Sequence, residues 1–231
     1  MRVEGTVPPR AGSELAITTV SLDAGGSTAL GSSERDSLLF AYDGFATLAL
    51  GGAEHALSAG SAGLVLAGEK AALVAGSEGL AAVSATVGPG VDRHAALGPR
   101  ETIVQIEEVA AGEATGSRSF QILFGPHNGS TRATLFVGYI PPGRAPWHYH
   151  LYDEIVWVWR GAGRFHLEGS VEALAECSAF RLSPREVHIV ENLADHVELA
   201  VLGVFTPAGS PSAAYLPAAG GGPAYAVEGR S

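Results

Sequence analysis

Apolar residues recur at alternate positions along most of this chain, and this spacing constrains the fold more than any other feature. Residues 119–124 and 198–205, for example, carry apolar side chains at every second position or in short runs, and Gly, Pro, Asn and Asp punctuate such segments. A period of two is typical of β-strands, in which successive side chains point to opposite faces. The chain is therefore predicted to be all-β, with many short strands arranged as a sandwich or a barrel.

The predicted strands fall into two sets that resemble each other. The first set covers residues 14–21, 37–42, 46–50, 63–66, 71–74 and 80–87. The second covers residues 102–106, 119–124, 131–140, 154–159, 163–167, 179–182, 188–191 and 198–205. An internal repeat of this kind would decide the fold class.

Residues 39–44 align with residues 156–161, and residues 63–68 with residues 179–184 when one loop residue is allowed for. This repeat predicts two copies of one β unit, joined near residues 88–102, where Gly-Pro pairs mark turns. The alternative is a loose alignment of two β-rich, Ala-rich segments. We expect an N-terminal unit at 1–97, a C-terminal unit at 98–210 and a Pro-, Ala- and Gly-rich tail at 211–231 without a core of its own.

Composition and charge exclude several classes of protein. A hydrophobic share of 46% can form a sizeable core, which excludes wholesale disorder. The net charge of −10 argues against a nucleic-acid partner, which needs clustered cations. No apolar run is long enough to span a membrane, since Gly76 and Glu78 interrupt the best candidate at 71–87. The single cysteine and the absence of a signal-like N-terminus predict a cytoplasmic protein.

Four side chains of metal-ligating type stand close together in the second set. His148 and His150 are separated by one residue, Tyr149, so on a strand both imidazoles project to the same face. Glu154 opens the next predicted strand and returns a carboxylate beside the pair, and His188 adds a third imidazole. Three nitrogens and one oxygen suit one divalent transition metal, namely Mn, Fe, Ni, Co, Zn or Cu, with positions left for water or substrate.

The pattern around these residues resembles the first motif of the cupin superfamily, a family of small β-barrels. That motif runs Gly, five residues, His-x-His, three or four residues, Glu, six residues, Gly. Here Gly143 precedes His148 and His150 by one residue fewer, and the spacings to Glu154 and Gly161 agree. The second cupin motif, Pro-x-Gly-x-x-His-x-x-x-Asn, is similar to the segment from Pro184 to Asn192.

That segment has its histidine, His188, one residue early and Glu186 in place of glycine. Both departures fall at turns. The resemblance implies a bicupin with two jelly-roll (double-stranded β-helix) barrels, in which His148, His150, Glu154 and His188 bind the metal of the C-terminal barrel. The N-terminal barrel is expected to be a degenerate copy without ligands, since the equivalent positions are Gly31, Ser33, Ser37 and Ala72.

Three functions stay open at this point. The first is a metal-dependent enzyme that isomerises a small polar carbonyl or sugar-acid-like substrate by proton transfer, because the predicted barrel order is similar to that of 5-deoxy-glucuronate isomerase-type bicupins. Its candidate substrate-binding residues are Arg144, Arg181 and Asn192. The second is a metal-dependent dioxygenase, for which the aromatic residues Trp147 and Tyr152 would suit a planar substrate. The third is a non-catalytic small-ligand-binding cupin.

Two tryptophans predict a covered surface. Trp157 and Trp159 lie on the strand face opposite Glu154, so they point outward if Glu154 points into the barrel. Two indoles left in water would expose a large apolar area. We expect this face to pack against the other barrel or a second subunit, which makes a homodimer the predicted assembly, unless a terminal segment covers it.

Overall fold

A computed structural model of the chain describes residues 3–4, 6–91, 93–114 and 117–215. The prediction of an all-β protein is confirmed, since the regular elements within these ranges are strands apart from two short 3₁₀ turns at Ile106–Glu108 and Pro126–Asn128. Among the described residues, no helix is long and apolar enough to cross a membrane.

The strands of the N-terminal half form one sheet. They are, in chain order, β2 (Ala16–Leu22), β3 (Ser27–Leu30), β4 (Asp36–Leu50), β5 (Ala53–Ser58), β6 (Ser61–Val65), β7 (Ala71–Val87) and β8 (Ile103–Gln105). The main path of the sheet runs β2-β7-β4-β6-β8, while β3 pairs with β7 and β5 pairs with β4. All of these pairs are antiparallel.

The two long strands β4 and β7 differ from the sequence-based prediction, which divided each into two. They remain paired from Asp36 opposite Val87 to Leu50 opposite Ala71, with register shifts near Ala41 and Gly44. Gly44 has a φ of 76°, and a Cβ there would collide with the backbone of β7. The glycine region therefore bends the paired strands instead of ending them. This bend lets both arms enclose one apolar cluster that includes Leu39, Leu48 and Leu73.

The C-terminal half forms two sheets that pack face to face. Its strands are β9 (Gly112–Glu113), β10 (Ser119–Phe124), β11 (Thr134–Ile140), β12 (Gly143–Arg144), β13 (Asp153–Arg160), β14 (Gly163–Leu167), β15 (Ser170–Leu174), β16 (Ser178–Leu182), β17 (His188–Asn192) and β18 (Leu199–Thr206). One sheet has the order β16-β13-β18-β11-β10-β9 and the other β12-β17-β14-β15. Val156 and Val201 of the first sheet share a core with Phe165 and Val190 of the second.

The outer face of the larger C-terminal sheet packs against the N-terminal sheet. Their shared core includes Leu38 and Phe40 on one side and Ile155 and Trp157 on the other. Trp157 is fully buried. The expectation that this tryptophan face is covered by the other half of the chain is thus confirmed, and a second subunit is not needed to cover it. The homodimer stays a prediction.

Each half of the chain, as divided by the prediction, also contributes one strand to the sheet of the other half. β1 (Val3–Glu4) pairs with β16, and β8 pairs with β6 although it follows the predicted boundary at residue 97. A buried ion pair between Arg132 and Asp36, 3.3 Å apart, further links the halves. The two halves therefore share strands, core and charge pairs, and the division at 97/98 remains a prediction.

Candidate metal centre

The backbone places three histidines around one point. His148 lies in an isolated bridge to His188, the first residue of β17, with hydrogen bonds of 3.2 Å from His148 N and 2.9 Å from His188 N. The His-x-His pair was expected on a regular strand, but it lies in a bridged segment, in which His148 pairs with His188 and Tyr149 pairs with Tyr215. One ring nitrogen of each of His148, His150 and His188 lies within 4.8 Å of the other two.

The outer nitrogens of these rings are held by backbone carbonyls. Nδ1 of His148 is 2.9 Å from the oxygen of Pro146, and Nδ1 of His188 is 2.8 Å from that of Glu186. Nδ1 of His150 is 3.3 Å from the oxygen of Ala213. A carbonyl can only accept, so Nδ1 of each ring carries the proton. Each Nε2 therefore presents a lone pair, which is the form that binds a metal.

Glu154 completes the group from the start of β13. Its Oε2 lies 3.8 Å from Nε2 of His150, and the side chain is buried. Gly203 on the adjacent strand β18 leaves room for it, since a Cβ at Gly203 would collide with the ring of Phe136 and approach Glu154 Oε1 to 3.1 Å. The sequence thus keeps the smallest residue beside the buried carboxyl group.

Burial shifts the pKa of every member of this group toward its neutral form. It lowers the pKa of His148 to about 2 and that of His150 to about 3, with further lowering by His188. It also lowers the pKa of His188 to about 4 and raises that of Glu154 to about 8. Three neutral imidazoles fit metal coordination as they stand, and Glu154 becomes a ligand by losing its proton. The donor set fits a divalent transition metal.

The group opens into a cavity with about 700 Å³ of empty space, counting its mouth. Aromatic rings form much of the wall, from Phe120, Phe136, Tyr139 and Tyr152. The ring of Tyr152 stacks on that of His150 at 4.6 Å. The cavity thus combines a polar end at the histidines with apolar sides, as small-molecule sites commonly do.

Arg118 brings a cation into the same cavity and was missed by sequence analysis. It lines the wall near the histidines and also a smaller cavity beside residues 140–146. Burial lowers the pKa of its guanidinium, whereas Tyr152 and Glu154 raise it. A guanidinium stays charged in proteins, so the cavity carries a fixed positive charge. No motif surrounds this arginine, and only the fold brings it near His148.

The predicted substrate-binding residues lie elsewhere than in the wall of the main cavity. Arg181 donates to Asp153 at 2.7 Å and to the carbonyl of Leu15 at 2.6 Å. Asn192 donates to the carbonyl of Ile140, at the end of β11, and to that of Val197, in the loop after β17. Arg144 lines the smaller cavity, where it lies 3.5 Å from Glu191. The side chains of Arg181 and Asn192 are therefore engaged in hydrogen bonds within the fold.

Comparison with known proteins shows the fold alone. Protein Ylba from E. coli is similar with a TM-score of 0.71 at 13% identity, over 89% of this chain and 85% of that one. Oxalate decarboxylase from Bacillus subtilis, described with Mn(II) centres, matches with a TM-score of 0.68 at 13% identity, over 87% and 71%. A cupin 2 conserved barrel domain protein from Leptotrichia buccalis matches with a TM-score of 0.61 at 12% identity, over 90% and 89%.

The chain has a cupin fold. No protein-family model matches the sequence. No curated protein matches it either. The proteins of similar structure include metal-dependent enzymes. In this chain, the three buried histidines could bind a metal.

Proposed function

We propose that this protein is a metal-dependent cupin enzyme that acts on a small anionic carbonyl compound of the sugar-acid type, by isomerase-type proton transfer. Its metal is held by Nε2 of His148, His150 and His188 and by the carboxylate of Glu154. The observation that carries the proposal is the convergence of three imidazoles whose Nδ1 protons are all committed to backbone carbonyls. Ordinary buried histidines have no reason to share that arrangement.

The proposed organisation is that of a bicupin. The bend of β4 and β7 around an apolar cluster supports a first barrel with a packed interior, and the two facing C-terminal sheets support a second that bears the site. The interior of the N-terminal half is apolar, with Leu48 and Leu73 fully buried there. The chemistry is therefore assigned to the C-terminal barrel.

The chain's own residues suit an anionic substrate. The overall charge of −10 repels anions at long range, so an anionic substrate needs a local cation, and Arg118 provides one inside the cavity. A divalent metal bound by the four ligands would act as a Lewis acid toward a carbonyl oxygen of the substrate.

Tyr152, whose ring stacks on that of His150, offers a hydrogen-bond donor beside the proposed metal ligands. Within the described part of the chain, its hydroxyl has one hydrogen bond, a long one of 3.5 Å to the carbonyl of Pro211. Burial and the nearby Glu154 raise the pKa of Tyr152, so the hydroxyl stays protonated at neutral pH. It can therefore donate to a substrate oxygen on which negative charge develops during proton transfer. The hydroxyl of Tyr139, in contrast, is held by Gln121 at 2.6 Å.

A dioxygenase is the second candidate, and the aromatic walls favour it. Phe120, Phe136 and Tyr152 could sandwich a planar substrate whose carboxylate reaches Arg118. The same four ligands would then serve a redox-active metal, with dioxygen as co-substrate. The aromatic side chains that support a dioxygenase are those of the cavity wall. Trp147, which favoured a dioxygenase in the sequence, is exposed.

One experiment separates these functions. Protein reconstituted with Mn, Fe, Co, Ni, Cu or Zn is first assayed for metal content, which we expect near one ion per chain. Each loaded form is then incubated with small sugar acids in D₂O, and deuterium incorporation is followed by NMR while an oxygen electrode records dioxygen uptake. Deuterium exchange without uptake supports the isomerase, uptake supports the dioxygenase, and metal without either indicates a ligand-binding cupin. Failure to retain any metal would refute the proposal.

A further inference from the structure

We propose that residues 207–215, which we call the C-terminal strap, position the ligand His150 and form one wall of the cavity. The strap spans the end of the predicted C-terminal unit, which closes at residue 210, and the first residues of the predicted Pro-, Ala- and Gly-rich tail at 211–231. The inference rests on the proposed metal function. It assigns to the strap a positioning role at the metal and a part in substrate specificity.

Side-chain and backbone contacts hold the strap at two points. The hydroxyl of Thr134, fully buried in β11, donates to the carbonyl of Gly209 and accepts from its N–H, both at 2.9 Å. At the other end Tyr215 exchanges two backbone hydrogen bonds with Tyr149, of 3.0 and 2.9 Å. The rings of these two tyrosines stack at 5.6 Å. Ala208, next to the first anchor, and Ala214, next to the second, are buried.

The strap supplies a hydrogen-bond acceptor for His150 that the His-x-His segment itself does not provide. His148 and His188 each use the carbonyl two residues before them, Pro146 and Glu186, to hold Nδ1. His150 instead uses the carbonyl of Ala213, 63 residues away in the sequence. The tautomer and ring orientation of His150 therefore depend on a separate segment, whereas those of the other two histidines are local.

The strap also shapes the cavity. Pro211, Ser212 and Ala214 lie in its wall, on the side of His150 and Tyr152. The hydroxyl of Ser212 is 2.8 Å from that of Ser210, and either of them can donate. Because these side chains are small, the strap leaves the cavity room for a substrate, and larger residues there would exclude one.

Removing the carbonyl of Ala213 from His150 should weaken metal binding. Loss of such an outer hydrogen-bond partner typically costs about 10- to 100-fold in metal affinity. The point variant Thr134→Val keeps the side-chain volume but removes both hydrogen bonds to Gly209, and Tyr215→Ala removes the stacked ring. We expect the double variant to bind metal at least about tenfold more weakly than the wild type.

The matched control is Thr206→Val. Thr206 is also a buried threonine, but its hydroxyl donates to the carbonyl of Arg132 at 2.7 Å, not to the strap. This variant loses a comparable buried hydrogen bond while the strap stays in place. It should keep the wild-type metal affinity, so any general loss of stability is separated from the effect on His150.

The test uses full-length protein and Co²⁺ alone, whose absorption spectrum reports its ligands. Limited proteolysis shows release of the strap, and circular dichroism shows that each variant folds. Weaker Co²⁺ binding by the released variants, with normal binding by Thr206→Val, supports the inference, whereas unchanged binding after release overturns it. If neither substitution releases the strap or the double variant does not fold, a chain ending at Thr206 makes the same comparison with the same two outcomes. Absence of Co²⁺ binding by the wild type would instead refute the proposed function.

Discussion

His148 and His188 face each other across a pair of backbone hydrogen bonds, and their rings lie 4.4 Å apart. Neither imidazole can rotate away without breaking its Nδ1 hydrogen bond to the carbonyl two residues before it. The geometry of the histidine group is therefore set by the backbone before any ion binds. Loss of one ligand should accordingly change metal binding more than folding.

The first prediction concerns His150→Ala. We expect metal content to fall from near one ion per chain to less than about a tenth, because three ligands hold a metal much less well than four. The fold should persist, since β13, β17 and β18 are held by their own ladders. Elemental analysis and circular dichroism measure the two effects. His166→Ala is the control, as His166 is equally buried but pairs with Glu191 outside the cavity.

The second prediction is that acid destabilises the metal-free protein. The folded pKa values of His148, His150 and His188 lie below their ordinary value of 6.5, at about 2, 3 and 4. Below pH 6.5 the unfolded chain therefore binds more protons than the folded chain, and the free energy of unfolding falls as the pH falls, with a slope of up to about 1.4 kcal/mol per pH unit for each group. Urea unfolding of chelator-treated protein from pH 5 to 6.5 measures the slope, which His150→Ala should reduce.

Glu154 should have the opposite effect in the same metal-free protein. Its folded pKa of about 8 lies above the ordinary 4.5, so the stability that it contributes is complete below pH 4.5 and is lost as the pH rises through about 8. Above pH 6.5 this loss is no longer masked by the histidines. Glu154→Gln should therefore flatten the decline between pH 6.5 and 8. An unchanged decline in this variant would assign it to another group.

The third prediction tests Arg118 as the anion anchor. Arg118→Gln should weaken binding of small carboxylates to metal-loaded protein by about tenfold or more, because a hydrogen bond to a charged group is worth about 1.5–3 kcal/mol. Competition binding with a series of carboxylates measures this loss. Arg144→Gln, at an exposed arginine of the smaller cavity, should bind nearly as the wild type does. Equal losses in both variants would point to a general charge effect.

The fourth prediction separates stability from substrate binding at Arg181. Its guanidinium is paired with the buried Asp153 and also bonds to the carbonyls of Pro8 and Leu15. Arg181→Met should lower the free energy of unfolding by about 3–5 kcal/mol, since it removes the nearest cation from a buried carboxylate. Arg10→Met removes a half-exposed arginine 3.8 Å from the same carboxylate and should cost less than about 1 kcal/mol. A rise in KM without loss of stability would instead make Arg181 a substrate anchor.

The fifth prediction uses the protein's own fluorescence. Trp147 is 39% exposed, whereas Trp157 is fully buried against the N-terminal sheet. Iodide should therefore quench only part of the emission of the native protein, and Trp147→Phe should remove most of the quenchable part. Strong quenching that persists in this variant would show that the tryptophan face is open.

Some of the structure follows from local chemistry and was predictable from the sequence. Alternation of apolar residues predicted the all-β class, since strand faces repeat every two residues. The same parity placed Glu154 and Trp157 on opposite faces of β13, and the structure shows one beside the histidines and the other in the core between the halves. The spacing of the four ligand-type residues likewise singled out side chains that the fold brings together.

Other features depend on contacts between residues far apart in the sequence. Glycines near residues 76–79 predicted a break, but pairing with β4 carries β7 through it as a bend. Arg118 and the carbonyl of Ala213 carry no local signal, because their roles come from proximity to His148 and His150 across the fold. Sequence alone therefore determined strand faces and ligand spacing, which are periodic and local. Tertiary structure decided which cation, carbonyl and cavity wall surround the ligands, because long-range packing brings those groups together.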